Sequence, residues 1–288
     1  MAKKKKKNQQ NNIFRTLLLI IAISVISVIV YEHFRSPILH AANEMKDKTE
    51  VIMNSENSEI TGELELTVLT TPRPEQVITH AGYTVSYNPE WRIPNWVSYE
   101  LTRNETEGDL ERSDKFTEDP EVKTDGPTGY DYKRSGYDRG HMAPAADMKW
   151  NSTAMKECFY YSNMCPQKHS LNAGKWKELE EDIRNWARKD SAIVIVCGPI
   201  VEKGYQTIGN GRVAVPQRFF KVILSPFLKS PKAIAFIMNN GNEKMPLSQY
   251  AVTVDSVEKI TGMDFFSALP DDLEERIESS CYTSNWGL

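Results

Sequence analysis

The chain has 288 residues, 40% of them hydrophobic, with six Trp and twelve Tyr, ample for a sizeable core in one large domain or two small ones. A formal net charge of −4 at pH 7 excludes a protein that advertises polyanion binding through its whole-chain charge. The four cysteines, at 158, 165, 197 and 281, include no CxxC pair, which excludes a zinc site of the usual thiolate spacing.

The N-terminus opens on five lysines, Lys3 to Lys7, then polar Gln and Asn, then the uncharged apolar run Leu17 to Tyr31. Extended back through Ile13, with Arg15 snorkelling to the interface, the run reaches a bilayer-spanning length. No small-x-small cleavage site follows directly; the next residues are Glu32, His33, Phe34 and Arg35. These features predict a basic cytoplasmic tail over 1–12 and a transmembrane signal anchor over 13–31, with the lysines holding the N-terminus inside. The remaining chain is then membrane-anchored and exported; secretion after signal-peptide cleavage is the alternative. A basic nucleic-acid-binding tail competes for the lysines, but the adjoining apolar run argues against it. Residues 32–75, rich in Glu, Asn, Ser and Thr and closing on Thr71-Pro72-Arg73-Pro74, read as a polar linker with a short strand at Leu64 to Leu69. In an exported chain one or two disulfides fit, with their connectivity open.

Residues 76–288 read as the folded domain. Strand composition marks Tyr83 to Tyr87, Trp96 to Thr102 and Phe159 to Ser162. Residues 103–136, charged and rich in Gly, Asp and Pro, read as a long loop, and Ser152 to Glu157 as a short helix. The clearest helix is predicted from Asn172 to Lys189, with Trp176, Leu179, Ile183, Trp186 and Ala187 at helical spacing. Apolar runs predict strands at Ala192 to Cys197, Phe219 to Leu224 and Ala233 to Met238, with Cys197 a buried free thiol. Val254 to Thr261 and Leu273 to Ile277 read as helices. Strands and helices mix without a βαβ rhythm, so the fold class is α+β.

Charge is unevenly spread. Residues 131–240 carry 17 Lys+Arg against 10 Asp+Glu, whereas 101–130 carry 4 against 9 and 251–288 carry 2 against 8. The basic segment is also the one that holds the chemistry. It contains Tyr137-Asp138-Arg139-Gly140-His141-Met142-Ala143-Pro144, then Ser162-Asn163-Met164-Cys165-Pro166-Gln167, then Leu171-Asn172 and Glu180. A histidine can take a proton from water, an arginine can hold a phosphate oxygen, and amide and carboxylate oxygens suit a hard divalent cation or its waters. That set is a kit for cutting a phosphodiester.

Residue by residue, each reading has a plainer rival. His141 competes with a core histidine bonded to backbone. Asn172 competes with a helix N-cap. Glu180 lies two turns beyond Asn172, about 12 Å along an ideal helix axis, too far for both to ligate one metal comfortably. It suits a carboxylate that hydrogen-bonds metal-bound water, while Glu178 and Glu181 read as solvated. Asp138 reads as structural, orienting a loop or an arginine. Cys165 carries no nucleophile reading without a lowered pKa.

These segments resemble the DNA/RNA non-specific endonuclease family, the ββα-metal nucleases that include endonuclease G. The match rests on the DRGH tetrapeptide at Asp138 to His141 and the Ser-Asn-x-x-Pro-Gln segment at Ser162 to Gln167. It continues through Leu171, Asn172 and Trp176 and the Leu179-Glu180 pair. The opening strand around Asn95 to Thr102 and the later strands at Gly198-Pro199-Ile200 and Val215 to Val222 extend it, from about Gly82 to about Met263. The resemblance implies a ββα-metal core with a central mixed or antiparallel sheet flanked by helices. It implies catalytic roles for His141 as general base, Arg139 on the scissile phosphate, Glu180 in the outer shell of the metal, and Asn163 holding the site together. It makes Asn172 the one direct protein ligand to Mg²⁺, with Mn²⁺ as the alternative. A second phosphate-binding arginine is expected upstream: Arg112 is the candidate and Arg134 its rival. The function implied is metal-dependent hydrolysis of DNA and RNA to 5′-phosphate ends with weak sequence preference. A phosphodiesterase of the same fold with a narrower nucleotide substrate, and a non-catalytic nucleic-acid-binding surface module, are the competing readings. Oligomeric state is not legible.

Overall fold

The computed structural model describes residues 64–288, within a compact unit that spans Asn57–Leu288. The tail expected over 1–12, the anchor over 13–31 and most of the linker lie outside the described residues. Among the described residues no helix is long and apolar enough to cross a membrane.

Thirteen strands are described: β1 (Val68–Leu69), β2 (Gln76–Thr79), β3 (Thr84–Asn88), β4 (Ile93–Thr102), β5 (Asp138–His141), β6 (Met164–Gln167), β7 (Ala192–Ile200), β8 (Gln206–Ile208), β9 (Val213–Val215), β10 (Arg218–Ser225), β11 (Lys232–Asn239), β12 (Ala251–Val252) and β13 (Met263–Asp264). The α-helices are α1 (Gly129–Tyr132), α2 (Ser152–Glu157), α3 (Trp176–Asp190), α4 (Val254–Thr261) and α5 (Asp271–Glu278).

Seven strands form one sheet in the order β12-β11-β10-β7-β4-β3-β2. Every neighbouring pair is antiparallel, which narrows the expected mixed or antiparallel sheet to the second. The class is α+β, with this large antiparallel sheet at its centre. The central strand β7 is buried along its whole length because both faces of the sheet are covered. Its side chains alternate: Ile193, Ile195 and Cys197 enter one core, Val194 and Val196 the other. Adjacent Phe219 and Phe220 on β10 divide between the two cores in the same way. This two-sided burial is why the strand reads as a continuous apolar run rather than as an alternation. Helix α3 packs on the first face through Trp176, Leu179, Ile183, Trp186 and Ala187; α4 and α5 pack on the second through Val254, Val257, Leu273 and Ile277.

Several sequence-based expectations shift. Residues 64–75 are part of the fold: Leu64 is buried, and β1 pairs with β13 through Val68 with Asp264 and Leu69 with Met263. The aromatic run Phe159 to Ser162 is no strand; Tyr161–Asn163 is a 3₁₀ turn, and Tyr160 makes one isolated bridge to Thr117. Its rings are apolar because they pack around His141 and the neighbouring core, not because they line a sheet. The helix predicted from Asn172 begins in regular form only at Trp176. Before it, Leu171–Lys175 forms a wide π-type turn broken at Gly174, whose backbone lies at φ −106°, ψ −117°. All four cysteines are free thiols, so the one or two disulfides considered for an exported chain do not form.

Candidate active site

The two motif segments are paired strands. β5 and β6 run antiparallel, with Asp138 opposite Gln167, Arg139 opposite Pro166, Gly140 opposite Cys165 and His141 opposite Met164. Gly140 is required by close approach: a Cβ there would lie 2.1 Å from Gln167 Oε1. The start of α3 closes against this pair, where the Trp176 indole N–H donates to the His141 carbonyl at 3.4 Å. Two strands and a helix thus bring the separated sequence motifs together.

Asn163 locks the turn after His141. Its side-chain oxygen accepts from the Ala143 N–H at 2.9 Å, and its NH₂ donates to the carbonyls of Ala143 at 2.9 Å and Cys158 at 2.8 Å. Asn163 is fully buried, and its amide is engaged with backbone partners on both its oxygen and its nitrogen.

Arg112, Phe116, Lys133, Asp138, Arg139 and Asn172 line a cleft of about 500 Å³ beside the β5–β6 pair. Arg112, Lys133 and Arg139 bring positive charge to it, a setting that attracts polyanions. The arginine candidates are separated by position: Arg112 lines the cleft, whereas Arg134 is exposed and is not among its lining residues. The Arg139 guanidinium lies 4.1 Å above the Phe116 ring, and that of Arg112 lies 4.9 Å above Phe159. Arg112 also pairs with Asp114.

His141 sits behind this layer. Its ring packs 5.6 Å from Phe116 and 4.9 Å from Phe159, and its Nε2 is buried without a hydrogen-bond partner. Burial, and then the nearby Arg112 and Arg139 guanidiniums, push its pKa down to about 3, with Asp114 opposing. The imidazole is therefore neutral at pH 7 and holds an unused nitrogen. The rival reading of a core histidine satisfied by backbone does not describe that atom. The covering loop is held from below by Asp119, whose Oδ2 contacts His80 Nε2 at 3.0 Å and accepts from the Ser162 hydroxyl at 2.5 Å.

Asn172 is not a helix cap. It lies inside the π-type turn, and its Nδ2 donates to Asp138 Oδ2 at 2.9 Å. The same carboxylate oxygen contacts His169 Nδ1 at 2.8 Å. Asp138, expected to orient a loop or an arginine, instead engages the Asn172 amide and the His169 ring. With its NH₂ engaged, the Asn172 oxygen is the acceptor left on a cleft wall. A neutral amide oxygen of this kind fits a hard divalent cation that keeps most of its waters. The break at Gly174 also removes the ideal-helix spacing between Asn172 and Glu180.

Glu180, partly exposed on α3, belongs to a charged cluster under the site. Burial pushes its carboxyl up to about 7; Lys221 and Arg184 oppose that shift and Asp147 adds to it. Arg184, one turn along, pairs with Asp147 at 2.8 Å, and Asp147 accepts from the Tyr99 hydroxyl at 2.9 Å. Lys221 is fully buried, with its Nζ 4.4 Å above the Trp176 ring and no hydrogen-bond partner. Sequence reasoning missed Phe116, Lys133, Arg184 and Lys221. The four-residue spacing from Glu180 was a signal for Arg184, and a lone lysine inside Phe219-Phe220-Lys221-Val222-Ile223-Leu224 was one for Lys221. Cys165 is fully buried with its thiol pKa pushed well up by burial, which excludes a thiolate nucleophile there.

Comparison with known proteins bears on the same segments. Residues 60–272 match the family model described as DNA/RNA non-specific endonuclease. The chain is 37% identical over 223 residues to nuclease EXOG, mitochondrial, of Xenopus laevis, covering 71% of this chain and 61% of that protein. It is 34% identical to endonuclease G, mitochondrial, of Bos taurus, covering 67% of this chain and 70% of that one. A crystal structure of an EndoG/EndoGI complex superposes with a TM-score of 0.63 at 32% identity, covering 69% of this chain and 89% of the matched one. The match thus spans about 60% of the length of the EXOG relatives.

These relatives overturn the localisation expected from the N-terminus. Both named nucleases are mitochondrial, so neither a membrane-anchored exported domain nor a secreted one is carried forward. Lysines ahead of an apolar run do not specify which compartment reads them, which is where the inference failed. Matched across residues 60–272, and with a solved relative superposing on its fold, the chain belongs to the DNA/RNA non-specific endonuclease family.

Proposed function

We propose that this chain is a metal-dependent, sugar-nonspecific endonuclease that hydrolyses phosphodiester bonds of DNA and RNA. The observation that carries the reading is the neutral His141, with an unpartnered Nε2, directly behind a cleft walled by Arg112, Arg139 and the Asn172 amide. Arg139 and Arg112 hold the scissile phosphate and offset charge as it builds in the transition state. His141 Nε2 accepts the proton of the attacking water. Phe116 and Phe159 pack against that ring and Nε2 is buried, so the proton transfer requires water to reach this nitrogen past the aromatic layer. Asn172, aimed by Asp138, would hold Mg²⁺, or Mn²⁺ in its place. Such an ion supplies charge neutralisation at the phosphate. Glu180, whose ionised form Arg184 and Lys221 favour, would accept hydrogen bonds from water held by that ion. Contacts of this kind read phosphate rather than base, so sequence preference is weak.

Digestion of supercoiled plasmid and of a structured RNA by the full chain tests this. Both should be cut internally with Mg²⁺ and neither with EDTA. Cleavage of dinucleotides alone would replace the reading by a narrow phosphodiesterase. Binding without cleavage would replace it by a non-catalytic module.

A further inference from the structure

Helices α4 and α5 cover the sheet face opposite the cleft, and their polar sides meet over a group of carboxylates. Asp255, Glu258 and Glu278 each bring one oxygen to within 4.8 Å of the others. Asp264 and Glu274 add negative charge beside them. Their environments are unequal: Asp255 is exposed and Glu258 partly so, while Glu278 is only 5% exposed. Glu258 Oε1 accepts from the Phe265 N–H at 2.9 Å. Glu278 Oε1 is buried and has no hydrogen-bond partner. Buried polar atoms are almost always paired, so an orphaned oxygen on the buried member of this carboxylate group asks for a missing partner. No Lys or Arg is recorded as ion-paired with any of the three among the described residues. Burial and the four neighbouring carboxylates push the Glu278 carboxyl up to about 9 when nothing neutralises it.

We propose that Asp255, Glu258 and Glu278 form a binding site for a hard divalent cation of the size of Ca²⁺, remote from the cleft and structural in role. Three oxygen donors without imidazole or thiolate suit a hard ion. Ca²⁺ takes oxygens at about 2.3–2.6 Å in flexible geometry, so donors on opposite sides of the ion sit about 5 Å apart. Mg²⁺, at about 2.0–2.1 Å in a strict octahedron, needs them closer and gives up its waters reluctantly. Bound there, the ion ties the first turn of α4 to the last turn of α5 and supplies the partner that Glu278 lacks. The site does not depend on the nuclease reading, since it uses none of the cleft residues.

The test is titration of the full chain with CaCl₂, and separately with MgCl₂, by calorimetry and thermal melting. Wild type is compared with Asp255→Asn and Glu278→Gln; sites in the cleft are common to all three and cancel. Wild type should bind one Ca²⁺ more than Asp255→Asn, with Kd on the order of 10⁻⁴ M. It should also melt at higher temperature with Ca²⁺ than with Mg²⁺. In both variants affinity should fall at least about tenfold and the melting shift should vanish, while Mg²⁺-dependent cleavage by Asp255→Asn stays at the wild-type rate. Equal Ca²⁺ stoichiometry and equal melting shifts in wild type and Asp255→Asn overturn the site. So does a wild type indifferent to Ca²⁺ whose Glu278→Gln variant melts higher in every buffer, which would leave Glu278 as a protonated carboxyl.

Discussion

The two faces of the seven-stranded sheet bury different things. Toward the cleft lie Lys221, Asp147, His141, Asn163 and Gln167, and several of their atoms have no partner: Lys221 Nζ, His141 Nε2 and both polar atoms of the Gln167 side chain. The opposite face buries Trp96, Val194, Val196, Phe220, Val222, Leu224, Phe265 and Phe266, and leaves Trp96 Nε1 and Glu278 Oε1 without hydrogen-bond partners. An unsatisfied buried polar group costs about 1–3 kcal/mol, while a buried large apolar side chain contributes about 1.5–3 kcal/mol. Both faces draw stability from apolar burial, and the cleft face spends part of its share holding chemistry in place. Substitutions should separate accordingly.

The largest effect expected is on rate, on the cleft side. His141→Ala should lower cleavage about 10²–10⁴-fold and leave nucleic-acid affinity nearly unchanged, because the imidazole acts on water rather than on substrate charge. Single-turnover kinetics beside filter binding check this; near-wild-type cleavage would take His141 out of the mechanism. The mirror experiment on the far face is Phe220→Ala. It should cost about 3–5 kcal/mol in denaturant unfolding with cleavage per folded molecule retained. Equal losses of rate and stability in that variant would erase the division between the faces.

Smaller effects sharpen the comparison within the site. Asn172→Ala should weaken both Mg²⁺ affinity and cleavage. Glu180→Ala should lower cleavage about 10–100-fold with Mg²⁺ affinity little changed. Calorimetric Mg²⁺ titration distinguishes them, and unchanged affinity in the Asn172 variant would remove it as ligand. The pH profile follows from two opposed shifts. His141, near 3, is already neutral across the working range, whereas Glu180, near 7, loses its carboxylate as pH falls through that value. Cleavage should decline below about pH 7, and Glu180→Gln should flatten that limb at a lower rate. A limb persisting near 6.5 in the variant would assign it to the imidazole instead. For stability the sign is reversed: a carboxyl raised on folding contributes fully below its unfolded value near 4.5, and that contribution is lost as pH rises toward 7. Arg112→Ala should raise KM and also lower kcat, since the guanidinium offsets charge in the transition state. The smallest effect belongs to Arg134→Ala, outside the cleft, which should stay within about 0.5 kcal/mol of wild type in stability and leave KM unchanged.

The fold was legible where burial made a simple pattern. The runs of β7, β10 and β11 and the amphipathic spacing of α3 appear in the sequence because each element meets its core along its length. The site was legible where residues that act together also lie together, as in Asp138 to His141. It was not legible where partners come from far along the chain. Nothing local to Phe116 shows that it covers His141, and nothing near Asn163 shows that its amide is spent on Ala143 and Cys158. The start of α3 was misread because helical periodicity continues through Leu171–Lys175 while the backbone, released at Gly174, does not. The N-terminal lysines misled for a different reason, since an address read by cellular machinery has no packing signature.

Gly140 lends the Asp138–His141 tetrapeptide a meaning that a list of reactive groups misses. A methyl at that position would collide with the Gln167 side chain, so that side chain keeps its place against β5 only while nothing is there. On the proposed mechanism the four letters are then four different jobs: an orienting acid, a phosphate clasp, a void and a base. Alanine at position 140 removes no reactive group, yet it must displace the buried Gln167 side chain from the strand pair that carries His141. A homologue that has lost this glycine should be expected to keep the fold and surrender the reaction, which makes the least reactive letter of the motif a sharp marker of a working enzyme.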